Sequence, residues 1–220
     1  MKSIITHSLY ILALCLSLSA NAALIDFEDG MPGDIITNST IDGATFSVTG
    51  QGNTSGNPRE LILFNSDCTQ NVDCTGGDND LSFPGAGNIL IISQDNNFNN
   101  PNDSASGGDI AIDFGINITS ISLVTLDVGD SRGRNDGDNF LAAFFQGSEV
   151  ARFDFLGDQG ENNVQTAFLS GLFDSVVLHL EGSGGLVSVD FTAVPVPAAL
   201  PLFITGLIGL FGLRKKALLK

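Results

Sequence analysis

Short apolar runs recur along the chain every eight to fifteen residues, separated by clusters of Gly, Asn, Asp and Ser. Within several runs the apolar positions alternate with polar ones. Ile110, Ile112 and Phe114 fall on one side, Ala111 and Asp113 on the other. Val176, Leu178 and Leu180 likewise alternate with Val177, His179 and Glu181. A period of two, rich in β-branched residues and Phe, is the mark of half-buried strands. The pattern predicts strands over Leu24–Phe27, Ala44–Thr49, Glu60–Phe64, Asn88–Ser93, Asp109–Phe114, Ile118–Val128, Asn139–Gln146, Val150–Phe155, Val164–Leu169, Ser175–Glu181 and Leu186–Phe191. No segment before Val194 carries a helical stripe. Many evenly spaced strands predict an all-β fold, a jelly-roll-like antiparallel β-sandwich.

The two ends break this pattern. From Ala198 to Leu213 the chain is apolar and uncharged, and Arg214, Lys215, Lys216 and Lys220 follow. Sixteen residues in a helix rise about 24 Å, close to a hydrocarbon core of about 30 Å. The expectation is one C-terminal transmembrane helix, with its basic end in the cytoplasm. At the other end, Lys2 precedes an apolar core from Leu9 to Leu18 and a small-residue site at Ala20-Asn21-Ala22. That is the layout of a secretory signal peptide. The chain therefore divides into a signal peptide (1–22), an exported β-sandwich domain (23–193) and a C-terminal segment (194–220). The expected partners in export are the Sec translocon and signal peptidase.

Val194, Pro195, Val196, Pro197 and Ala198 stand directly before the apolar run. This motif, with the helix and the basic tail, resembles the PEP-CTERM class of C-terminal sorting signals of Gram-negative bacteria. The closest form is the variant with Val-Pro-Leu-Pro-Ala; Val196 stands where the main form has Glu and the variant has Leu. The resemblance implies an exosortase-type membrane protease as partner, which removes the helix and tail. It also implies a path from the inner membrane to the envelope, surface or extracellular matrix. The segments 25–30, 107–115 and 173–178 resemble a loosely defined set of β-sandwich cargo domains found upstream of this signal, a set with no agreed activity.

Charge narrows the function. All 25 carboxylates lie in 23–193, against four arginines and no lysine, a net −21. Such a surface repels nucleic acid and anionic lipid, and favours divalent cations. Cys68 and Cys74, spaced C-x5-C in an exported domain, predict a local disulfide. Asp26, Glu28 and Asp29 at the first strand and Asp190 on the last predict a calcium site, if first and last strands adjoin. A second acidic set, Asp127, Asp130, Asn135, Asp136 and Asp138, falls short of the full calcium-loop pattern.

Catalytic signatures are missing. The domain's one histidine, His179, sits mid-strand facing outward, and no nucleophile or phosphate-loop motif accompanies it. Trp and Tyr, the usual sugar platforms, are absent from 23–193. The expected function is thus a non-catalytic structural or adhesive component of the cell surface or matrix. The alternative is a carbohydrate-binding or polysaccharide-modifying module acting on exopolysaccharide. A third is a protein permanently anchored by an uncleaved tail.

Overall fold

The alternation seen in the sequence becomes ten strands in the computed structural model, which describes residues 21–49, 58–68, 81–129, 138–157 and 159–195. They are β1 (Ala22–Ile25), β2 (Thr40–Ile41), β3 (Ala44–Thr49), β4 (Leu61–Asn65), β5 (Asn88–Ile92), β6 (Gly108–Leu126), β7 (Phe140–Phe145), β8 (Ser148–Asp154), β9 (Val164–Leu180) and β10 (Gly185–Ala193). Every pairing is antiparallel, and the described residues contain no α-helix. Ala22–Ala193 is one compact unit. Among the described residues no helix is long and apolar enough to cross a membrane. The expected transmembrane helix and most of the signal peptide lie outside them.

Two long strands organise the rest. β6 pairs with β9 from Gly108↔Leu180 to Leu126↔Val164. The first part of β6 also pairs with β3, and the second part with β10. The last part of β9 pairs with β7, which pairs with β8. One half-sheet is therefore β2-β3-β6-β9-β7-β8. The other runs from β4 through β5, β10 and β6 to β9, with β1 also on β10. The sequence pattern predicts two strands in each of these places, and the structure corrects it to one. The register shifts between Asp113 and Ser120, where Gly115 takes φ 61°. Glycine enters this left-handed region without Cβ strain. Extra residues at such a bulge bend and twist the pair without ending it.

The bend wraps both half-sheets around one core. Ile110, Ile112 and Phe114 from the first part of β6 and Ile121 and Leu123 from the second belong to the same buried cluster. Phe46, Phe173, Val176, Leu178 and Phe191 fill it further. Phe27 meets Phe46 edge to face at 5.7 Å, and Phe114 lies 4.8 Å from Phe191. β4 and β5 are buried on both faces. Leu61, Leu63, Leu90 and Ile92 join the main core, while Phe64, Ile89 and Ile91 form a second cluster with Cys68, Leu81 and Leu126.

Phe173 is fully buried where β9 crosses the bend, whereas Phe168, five residues earlier, is 58% exposed. Phe173→Ala should cost about 3–5 kcal/mol of stability, the usual range for emptying a core Phe site. Phe168→Ala should stay within about 0.5 kcal/mol. Urea unfolding of the two variants checks this contrast directly.

Candidate functional site

One cleft among the described residues grows out of the turns that follow β1. Ile25 is buried, and Phe27 takes φ 61°, which ends the strand and sends the chain through a run of turns. Asn88 at the head of β5 holds that run. Its Nδ2 donates to the Gly30 carbonyl at 2.9 Å, and its backbone N–H donates to Glu28 Oε1 at 2.8 Å. The chain then zips onto the edge of β4. Gly33 N–H donates to Leu63 O, Leu63 N–H to Asp34 O, and Ile36 N–H to Leu61 O, all within 3.0 Å. A second wall comes from the β2–β3 hairpin, whose two-residue turn is Asp42-Gly43 with φ 48° and 86°. Positive φ at both positions is the type I′ requirement, and Asp-Gly meets it.

These elements enclose a cleft of about 230 Å³, lined by Asp26, Phe27, Asp29, Gly30, Ile36, Ile41, Asp42 and Leu63. Its floor is apolar, its rim carries three carboxylates, and among the described residues no cationic side chain lines it. Asp26 Oδ1 accepts the Glu28 N–H at 3.2 Å. No described group donates to the Asp29 or Asp42 carboxylates, so both rims keep acceptor capacity facing solvent. The arrangement suits a small ligand with several hydroxyl or ammonium donors and a C–H face for the floor. It disfavours anions. The volume lies under the roughly 300–1,000 Å³ of sites for drug-sized ligands, so it fits one small ring rather than an extended chain.

A second polar feature crosses the outside of the other half-sheet. Thr49, Asp109, His179, Phe140 and Asp154 stand directly opposite one another across β3, β6, β9, β7 and β8. Thr49 Oγ1 donates to Asp109 Oδ2 at 3.3 Å, and Asp109 Oδ1 bonds His179 Nδ1 at 2.5 Å. The imidazole stacks on Phe140 at 4.7 Å, and the Arg152 guanidinium lies 3.5 Å above that ring. Arg152 Nε bonds Asp154 at 2.7 Å. Both faces of the Phe140 ring are thereby occupied, so the row is a surface brace rather than an open platform. His179 faces outward as its alternation predicts. The Asp109 partnership depends on cross-strand register, which one strand's sequence does not carry. Arg59 is buried, and desolvation pushes its guanidinium below the ordinary arginine range.

The predicted calcium set does not assemble. First and last strands do adjoin, with Leu24 opposite Asp190. Yet among the described residues no group of three or more His, Cys, Asp or Glu is placed to hold a metal ion. The reason is local. The left-handed Phe27 turns Glu28 away toward Asn88, and Asp29 goes to the cleft rim with Asp26. In the second acidic set, Asp127 is buried and accepts the Asn162 N–H at 2.8 Å; Asp130, Asn135 and Asp136 lie outside the described residues. Cys68 is buried and disulfide-bonded, while Cys74 lies outside them. Val194 and Pro195 follow β10 directly, and Val196, Pro197, Ala198, Arg214, Lys215 and Lys216 lie outside. Asp42 and the β2 hairpin were not anticipated, although Asp-Gly between apolar neighbours is a hairpin signal.

A double-mutant cycle should separate the interactions of the brace. Arg152 with Phe140 should couple by about 0.5–1 kcal/mol and keep that coupling in 1 M salt, with ~3 Å screening. Arg152 with Asp154, an exposed pair, should couple by under about 1 kcal/mol and fade with salt.

No family model matches the chain, and no curated protein sequence matches it. Among solved structures it is similar to the family 32 carbohydrate-binding module of Clostridium perfringens NanJ in complex with galactose. The two are 14% identical, over 72% of this chain and 97% of that one, with a TM-score of 0.34. It is also similar to the lectin domain of lectinolysin complexed with Lewis B antigen (16% identity, 42% of this chain, 70% of that one, TM-score 0.29). A third is a cyclase from Fischerella sp. TAU (13% identity, 80% of this chain, 99% of that one, TM-score 0.36). Likenesses this slight assign no function; the cleft's own chemistry has to.

Proposed function

We propose that the β-domain is a non-catalytic, jelly-roll-like binding module that takes a neutral sugar unit in the cleft beneath Asp29 and Asp42. The observation that carries this reading is the pairing of an apolar floor with carboxylates to which no described group donates. Sugar hydroxyls donate to carboxylates through charge-assisted hydrogen bonds. The C–H face of the ring rests on Ile36, Ile41 and Leu63, an aliphatic floor in place of the absent Trp and Tyr. A domain of net −21 repels acidic polysaccharides, so the ligand is a neutral glycan.

The test is calorimetric titration against neutral and uronic-acid oligosaccharides. Wild-type protein should bind the neutral set only. Asp29→Ala and Asp42→Ala should each weaken binding about tenfold or more, the worth of a hydrogen bond to a charged group. Both residues are exposed, so the unfolding midpoints should not move. Equal binding of acidic oligosaccharides, or unchanged affinity in both variants, contradicts the reading.

The sequence supports a setting for that module. We propose export, a transient inner-membrane stage held by 194–220, and release to the envelope or matrix by an exosortase-type protease. There the module serves as an adhesive component that holds neutral exopolysaccharide. What supports this is the joint presence of a signal-peptide pattern, the Val-Pro-Val-Pro-Ala motif and the basic tail. Intact mass of the protein from its host, by fraction, tests it. The expected species begins near Ala23, ends within Val194–Ala198 and lies outside the inner membrane. A membrane species retaining Arg214–Lys220 means a plain anchor.

A further inference from the structure

Sheet edges expose unpaired backbone groups, and proteins blunt them with charge, shortness or cover. Among the described residues, four edges obey that rule. The β4 edge is covered by residues 33–36 through the hydrogen bonds described above. β8 carries Glu149, Arg152 and Asp154 along its length. β1 is four residues long and β2 two. The first part of β9 is a further edge among the described residues. It pairs with β6 on one side, while β7 engages β9 only from Ser175 to His179. Over Val164–Leu172 the other side has no described strand against it.

This edge is unprotected in composition too. From Asn162 to Phe173 there are twelve residues without a charge, in a domain that holds 25 carboxylates. Its outward positions are Val164, Thr166, Phe168, Ser170 and Leu172, all exposed, with Phe168 at 58%. Read about Phe168, the regular part of the strand is its own mirror image: hydroxyl, aromatic, hydroxyl at Thr166, Phe168 and Ser170. In an antiparallel pair about a two-fold axis over the regular stretch before the register shift opposite Ile118–Ser120, Thr166 meets Ser170 and Phe168 meets Phe168. A symmetric interface requires this self-complementarity. An unrelated partner has no reason to impose it. The missing charge matters as well, because two copies of a net −21 domain repel one another elsewhere and can approach along a neutral edge.

We propose that the β9 edge centred on Thr166–Ser170 docks a second copy of this chain, strand to strand, about a two-fold axis at Phe168. The pairing extends the half-sheet across the dimer and leaves both sugar clefts to their own copies. The inference does not depend on the cleft binding sugar. So short an edge is a small interface, so the dimer is weak and concentration-dependent.

The test is sedimentation velocity of the full chain in nonionic detergent up to roughly 100 µM, above the micromolar Kd expected of such an interface, with three variants. Wild type should show a reversible monomer–dimer equilibrium. Phe168→Lys should weaken it about tenfold or more, because burying a lysine beside its own copy pairs like charges, with an unchanged urea midpoint. Phe168→Cys should give a reductant-sensitive covalent dimer on oxidation, since residues directly opposite across antiparallel strands lie within disulfide reach. Val150→Cys, exposed on β8, should give no more than wild-type background. A monomeric wild type overturns the proposal. So does dimerisation unaffected by Phe168→Lys, or a Phe168→Cys yield no greater than that of Val150→Cys. Loss of glycan binding in Phe168→Lys with no change in sedimentation also overturns it, and makes the ring a ligand platform instead.

Discussion

The antiparallel pairing of β6 with β9 carries the architecture, because each strand serves both half-sheets and only the bend between Asp113 and Ser120 lets it. A straight pair of this length would make one flat sheet with an exposed apolar face. The bulge at Gly115 turns the pair instead, so inward residues on either side of it face one core. Phe114 and Phe173 sit at that corner and are buried there. β3, β7 and β10 then dock by ordinary ladder bonds onto strands already in place. The cleft is a consequence of this order. β1 reaches it as an add-on to β10, and the turns after it are free to line a pocket because they belong to no ladder.

Much of this was legible in the sequence because strand alternation is a one-dimensional signal. The positions of Ile110, Ile112 and Phe114, and of Val176, Leu178 and Leu180, follow from period two alone. The segment 60–64 shows the same logic at its limit. Its unbroken apolar run is buried on both faces, in two separate clusters. What was not legible is register. The union of 109–114 with 118–128 depends on what β9 does opposite them. The meeting of Asp109 with His179 depends on a pairing between residues seventy positions apart. The placement of the first-strand carboxylates was hidden for a related reason. The adjacency of first and last strands was sound, but one residue in the left-handed region, Phe27, redirects Glu28 and Asp29.

Chemistry and charge point the same way at the cleft. A strongly acidic domain without catalytic motifs presents, in the cleft after β1, acceptors over an aliphatic floor. The outer brace of Arg152, Phe140, His179 and Asp109 looks richer chemically, yet its groups satisfy one another. The β9 edge, plain in composition, is the more open surface. A module with one sugar site gains avidity when two copies are held together, so the proposed dimer and the proposed sugar cleft are compatible with one another.

The most direct measurement is a two-dimensional amide NMR titration of the isotope-labelled protein with a neutral oligosaccharide. The account predicts shifts confined to residues 26–30, 36, 41–43 and 63, around the cleft, with the amides of Val164–Leu172 unmoved. Shifts centred on Phe168, or none at saturating sugar, would contradict it.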